Sequence, residues 1–265
     1  MQRKLIASWL ACFAIATPFA SAYGADDMTV SLGLRFWDNK WTSWDYYAPA
    51  VAGGFVIPGA SENFTSSSKA VPIPSVSVRY KDFLFSGSQF VNSSYGFVGS
   101  SGAPFNSKRT ETDLLAGYYV LPTLALTLGN KEIKQDFGIG GNFKYSGPVL
   151  GAAASAPLTG GYSLYGNLGY GFLKAKLPAA LMDALGRNSF DANYYLAEIG
   201  LAYSFDIRST IPSAKALTAT VGYRNQVLAT KDFRVGLSPT NRNLNRGTDL
   251  RDTTEGFSFG LSISF

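Results

Sequence analysis

Large apolar residues recur at every second position along most of the chain. Val30, Leu32, Leu34 and Phe36 alternate with Ser31, Gly33 and Arg35. A period of two puts each set on its own face of a β-strand. Ile73, Val76, Val78 and Tyr80 oppose Ser75, Ser77 and Arg79; Lys81-Asp82 then turns the chain into Phe83 and Phe85. Leu114, Ala116, Tyr118 and Val120 lead through Pro122-Thr123 into Leu124, Leu126 and Leu128. A weaker Ala- and Gly-rich segment, Tyr145–Ala156, turns at residues 158–161 into Leu164, Leu168, Tyr170 and Phe172. Tyr195 to Phe205 and Leu217 to Tyr223 repeat the alternation, as do Phe257, Phe259, Leu261, Ile263 and Phe265 at the C-terminus.

The pattern predicts ten strands. Four connections are short, near residues 81, 122, 159 and 210. Five are long, near 38–71, 92–109, 136–145, 174–192 and 228–252. An up-and-down antiparallel barrel with both termini on one side alternates short and long connections in this way. A further hairpin fits around Ala50–Ile57, and eight or twelve strands stay compatible with the pattern. On the C-terminal strand the face opposite the apolar one carries only Ser and Gly, where a half-buried soluble strand usually carries Lys, Glu or Thr. Downstream of the N-terminal segment no apolar run reaches the 18 or so residues of a membrane helix, which leaves the closed barrel as the membrane-spanning solution. The rival is a soluble periplasmic or secreted sandwich, with the same apolar faces turned inward.

The N-terminus changes the accounting. Arg3 and Lys4 precede an apolar run from Leu5 to Ala20, and Ala20-Ser21-Ala22 offers a small-x-small cleavage site. Residues 1–22 read as a secretory signal peptide and residues 23–265 as one barrel domain. Removing 22 of 265 residues leaves 243, and loss of the two basic residues lowers the formal net charge from +5 to +3. That balance does not point to nucleic acid. The one cysteine, Cys12, leaves with the signal, so disulfide and thiolate chemistry are not expected.

A secretory signal combined with a terminal alternating strand that ends on Phe resembles bacterial outer-membrane β-barrel proteins. The resemblance implies outer-membrane localisation after passage through the periplasm. It also implies that Phe257, Phe259, Leu261, Ile263 and Phe265 are read by the barrel-insertion machinery, and that lipid and lipopolysaccharide surround the barrel. Some barrels of this size are proteases or lipid-modifying enzymes that rely on a catalytic His. This chain has no histidine, so it lacks the usual base for activating a hydroxyl and the commonest zinc ligand. Carboxylate pairs such as Glu111/Asp113 and Asp249/Asp252 read as rim residues. No enzyme activity, cofactor or metal is expected.

Parity also assigns the interior. Arg35, Arg79, Lys131 and Arg224 point inward, as do Glu111, Asp113 and Glu198, with Glu198 and Arg224 on neighbouring strands. They form either an ion-pair network that fills the lumen or a charged constriction. Trp37, Trp41, Trp44, Tyr46 and Tyr47 crowd the outer end of the first strand as loop or membrane-interface aromatics, although parity turns Trp37 and Trp41 inward. Loop 228–252 carries a basic excess that suits outer-leaflet phosphates, and Pro178–Leu185 reads as a short loop helix. The functional expectation is a narrow channel or small-solute uptake barrel of unknown solute. The alternative is a surface binding or structural barrel whose loops contact lipopolysaccharide, a sugar or a host ligand.

Overall fold

A computed structural model describes residues 28–47, 50–52, 55–98, 102–136, 142–178, 187–235 and 246–265. The proposed signal segment, the 179–186 part of the loop helix and the 236–245 part of the basic loop lie outside them. The strands are β1 (Met28–Tyr47), β2 (Ala50–Ala52), β3 (Phe55–Ile57), β4 (Ala60–Thr65), β5 (Lys69–Tyr80), β6 (Phe83–Val98) and β7 (Pro104–Leu121). They continue as β8 (Leu124–Asp136), β9 (Asn142–Pro157), β10 (Tyr162–Lys176), β11 (Ser189–Asp206), β12 (Ala216–Val235) and β13 (Arg246–Ser264).

Ten antiparallel staves close on themselves. β5 to β13 pair in sequence order, β1 pairs β5, and β13 pairs β1 to seal the ring. The seam is complete down to the last residue, because the Phe265 N–H donates to the Val30 carbonyl at 2.8 Å. β4 pairs the upper part of β1 from Thr42 to Tyr47, while β5 pairs its lower part from Met28 to Asn39. The two thus make one stave, interrupted at residues 66–68. There the Ser66 hydroxyl accepts from the Trp41 N–H at 2.9 Å. β2 and β3 form the small hairpin expected around residues 50–57.

The membrane face is the alternating apolar set. Leu32, Leu34, Phe36, Leu126, Leu128, Leu168, Ile199 and Leu261 are all exposed. An exterior of this kind is stable only against hydrocarbon, and the nine residues from Phe257 to Phe265 match the length of a spanning strand. Aromatic pairs on directly opposed positions border the belt. Phe83–Tyr118 and Tyr162–Tyr203 lie at the short-turn end, with ring centroids 5.3 and 4.5 Å apart. Tyr170–Tyr195 and Tyr223–Phe257 lie at the other, at 5.1 and 5.3 Å. These rings form the interfacial girdles. This inside-out arrangement is that of an outer-membrane β-barrel.

The long connections are shorter than the sequence suggests. Strands run on through much of the segments read as loops: β1 reaches Tyr47, β6 reaches Val98 and β7 begins at Pro104. Above the belt the outer face meets water and carries Lys40, Lys108, Lys134, Lys174 and Glu255. The outward apolar repeat stops at the lipid boundary, although the hydrogen-bonded ladder does not. The barrel therefore stands well clear of the membrane on the long-loop side.

Candidate functional site

The site lies inside the barrel, at the outer edge of the apolar belt and just above it. Six of the seven inward charges expected from parity meet there. Glu198 on β11 sits directly opposite Arg224 on β12 in the ladder, and Arg224 Nη1 donates to Glu198 Oε2 at 3.2 Å. Arg35 reaches the same carboxylate from β1 at 3.0 Å, and the Tyr165 hydroxyl donates to its other oxygen at 3.1 Å. Lys131 on β8 bridges Glu111 at 2.7 Å and Asp113 at 2.9 Å. Arg109 adds a bond to Glu111 at 2.7 Å.

Gln226 joins the two halves. In the amide orientation that satisfies both ends, its nitrogen donates to both Glu111 oxygens at 3.2 Å, and its oxygen accepts from Arg224 Nη2 at 2.7 Å. Glu111 and Glu198 are each met by two cations, and Asp113 by Lys131. Buried charge demands this compensation, since desolvation of either partner alone costs several kcal/mol.

Glycine makes room for one bridging side chain. A Cβ at Gly200 would fall 2.6 Å from the Tyr165 ring, and one at Gly222 would fall 2.5 Å from its hydroxyl oxygen. The two inward glycines on adjacent strands form a notch in which Tyr165 lies to reach Glu198. The small inward residues therefore do not leave an open lumen at this level, because a side chain from a neighbouring wall occupies the space.

Trp37 and Trp41 require a correction. They are neither loop residues nor interface aromatics; both are completely buried in the lumen, on the inward face of a strand that continues to Tyr47. The surrounding charge gives the reason. The Arg224 guanidinium lies 5.3 Å from the Trp37 ring, and Arg109 lies 5.3 Å from the Trp41 ring. An indole face suits a desolvated guanidinium, and the Trp37 N–H donates to the Gly256 carbonyl at 3.2 Å. Trp44 is half-buried, with Arg251 5.7 Å from its ring. The Tyr46 and Tyr47 backbones belong to β1, and their side chains lie outside the described residues.

Arg79 also stands apart from the network. Its Nε donates to the Lys81 carbonyl at 2.9 Å, and its guanidinium lies 4.0 Å from the Tyr119 ring at the short-turn end. Of the two sequence readings of Glu111 and Asp113, as rim carboxylates and as inward charges, the inward one holds: both are lumenal ion-pair partners, because β7 extends past them to Pro104.

Sequence reasoning missed Arg109, Gln135, Gln226 and Thr254 and read Asp252 as a rim residue; all five are buried. Continuing the inward parity of Asp113 and Glu111 by one more step finds Arg109. Apolar packing flanks the charges on two walls. Trp37, Trp41, Val71, Phe90, Tyr95 and Phe97 form one cluster; Ile133, Tyr145, Leu173, Phe190 and Tyr194 belong to the other. At the top of the lumen Asp45 faces Glu62 directly across the ladder. Burial, then the nearby Asp252 and Glu62 charges, push the Asp45 carboxyl up to about 6.

No protein-family model matches the chain, and no curated protein matches it by sequence. Solved structures of similar shape include the outer membrane protease OmpT from Escherichia coli, at 13% identity and a TM-score of 0.46, covering 89% of this chain and 97% of that one. The P. putida toluene transporter TodX is similar at 10% identity, TM-score 0.31, covering 94% and 92%. A Pseudomonas aeruginosa FadL homologue is similar at 11% identity, TM-score 0.31, covering 91% and 90%. All three scores fall below 0.5, so the barrel assignment rests on this chain's own topology and surface chemistry.

Proposed function

We propose that this outer-membrane barrel is sealed at rest and acts through its extracellular half as a non-enzymatic binding or structural protein. One observation carries the reading: hydrogen bonds run between opposite walls. In the ring order β7 and β12 are five staves apart, as are β8 and β13, which is the full width of a ten-stave barrel. Glu111 meets Gln226 across the first gap at 3.2 Å, and Gln135 Nε2 meets Asp252 Oδ2 across the second at 2.8 Å. Arg109 Nη1 also reaches Thr254 Oγ1 at 2.7 Å. Trp37, Trp41, Lys131 and Tyr194 fill the space beside these links, none more than 2% exposed. Barrels of about eight strands are filled by side chains in the same manner, whereas far larger ones hold water channels.

The outer half offers surface for recognition. Phe55 and Val56 are 78% and 72% exposed on the β2–β3 hairpin, on the long-loop side. The lack of histidine in the sequence supports a role without acid–base catalysis.

Planar-bilayer recording tests the seal. The folded wild-type protein is expected to be electrically silent, and steady unitary steps would overturn the reading. A gated narrow pore is the second reading. It is favoured by the hydroxyl-lined lumen below the plug, where Ser31, Ser77, Ser163 and Ser262 are buried. Under that reading the Arg109→Ala/Glu111→Ala double variant conducts while the wild type does not.

A further inference from the structure

Above the lipid belt the outer wall carries a row of lysines that the lumenal site does not explain. Lys134 on β8 is directly opposite Lys144 on β9, and Lys144 is directly opposite Lys176 on β10. Directly opposed residues place their Cβ atoms about 5 Å apart, and like charges in that relation destabilise a sheet. Three in a line across adjacent strands is therefore an arrangement that folding alone disfavours.

The local carboxylates do not neutralise the row. Glu132, one step closer to the membrane, takes both Lys134 at 2.8 Å and Lys144 at 2.7 Å. Those two donors hold the Glu132 carboxyl below its ordinary range. Asp191 pairs with Lys174, one step below Lys176. Among the described residues Lys176 meets no carboxylate, so three aligned ammonium groups share one acid. Neighbouring positions in the same row are uncharged, with Thr110 on β7 and Ser189 on β11.

The height of the row indicates its partner. On β10 the outward residues run Leu168, Tyr170, Phe172, Lys174, Lys176. Phe172 ends the apolar belt on this strand, and Lys176 lies four residues further out. At 3.3 Å per residue and a tilt near 40°, that is roughly 10 Å along the membrane normal. A lysine stem can fold down over Phe172 while its ammonium group stays among headgroups. We propose that Lys134, Lys144 and Lys176 bind the phosphates of outer-leaflet lipopolysaccharide, whose acyl chains lie against Leu128, Leu150 and Phe172 below. The site rests on the membrane-spanning reading and is independent of whether the lumen conducts.

The test is retention of phosphorylated glycolipid by the folded barrel. Full-length protein refolded in detergent is mixed with deep-rough lipopolysaccharide, and bound lipid is measured by native mass spectrometry. Wild type and Lys134→Gln/Lys144→Gln/Lys176→Gln are compared, with Lys40→Gln on the opposite wall as control. Heat-dependent gel mobility verifies that each variant is folded. The triple variant is expected to retain lipid on the order of a hundredfold more weakly, about fivefold for each lysine beside an anionic surface. Wild-type retention should fall steeply with salt, and enzymatically dephosphorylated lipid should bind no better to wild type than to the variant. Equal retention by wild type and triple variant would overturn the proposal, as would equal weakening by Lys40→Gln. Competition by millimolar inorganic phosphate would show a site for the free ion and overturn the lipid assignment.

Discussion

Replacing Glu198 by Gln tests whether the lumen is dry. The side chain of Glu198 has no solvent exposure and serves Arg35 and Arg224 at once. Gln keeps the shape and removes the charge, so two buried guanidiniums lose their carboxylate. Breaking a buried pair from one side costs about 3–5 kcal/mol, mostly because the remaining charge is left uncompensated. The Tyr165 bond to the same carboxylate weakens too, but losses inside one network do not add. We therefore expect about 4 kcal/mol. The assay is equilibrium guanidinium unfolding in lipid vesicles, followed by gel mobility and tryptophan emission. The combined variant Arg35→Met/Glu198→Leu/Arg224→Met removes all three charges and should recover most of the loss. If Glu198→Gln lies within about 1 kcal/mol of wild type, water must screen the site, and the sealed-lumen reading fails with it.

Three further predictions concern different levels of the barrel. In vesicles of acyl-brominated lipid, the emission of Trp37 and Trp41 should be unquenched, because both are buried inside the wall; strong quenching in a Trp44→Phe background would return them to the lipid interface. Asp45 should make the outer rim pH-sensitive. Its folded pKa, about 6, lies above the ordinary aspartate value of about 3.9, so the folded state binds the proton more tightly, and stability falls as pH rises from about 4 to 6. Asp45→Asn should flatten unfolding midpoints measured between pH 4.5 and about 7.5, and an unchanged slope would refute the assignment. At Gly256 an added Cβ would be 2.7 Å from Asn39 Cα and closer still to the Asp38 carbonyl oxygen. Gly256→Ala should therefore cost about 1–3 kcal/mol through forced backbone shifts at the β1–β13 seam, read by the same guanidinium titration.

The part of the barrel that touches lipid was legible in the sequence because hydrocarbon imposes a strict rule there. Every outward residue must be apolar, so Leu126-Thr-Leu128 or Phe257-Ser-Phe259 declares both strand and face. Above the lipid that rule lapses. β7 continues outward through Thr112, Thr110 and Lys108, which look like loop residues, while its inward residues Glu111 and Arg109 build the plug. Bulges hide more. On β6 the register shifts between Phe90 and Ser93, so the inward set changes from even to odd numbers. Tyr95 and Phe97, outward by simple counting, are therefore buried in the lumen. A local count of alternation carries no signal for such an insertion, because only the partner strand defines the shift.

The same boundary explains why tryptophan was misplaced while the charges were not. Arg35, Glu198 and Arg224 had an unambiguous parity within or beside the apolar belt, and a charge facing lipid is costly enough to settle the face. Trp37 and Trp41 are welcome on either side: at a lipid headgroup, or beneath a guanidinium that has lost its water. Alternation along β1 turns both inward, but the apolar repeat that would fix the face ends at Phe36, so parity alone does not decide. The choice is made by Arg224 and Arg109, more than 60 residues away in the chain, whose desolvation is tolerable only beside carboxylates and aromatic faces. Aromatic and ionic residues of the plug are thus mutually dependent. Removing Trp41 should weaken the Arg109–Glu111 pair, and removing Glu111 should loosen Trp41, with an interaction energy in a double-mutant cycle that two separate packing losses would not produce.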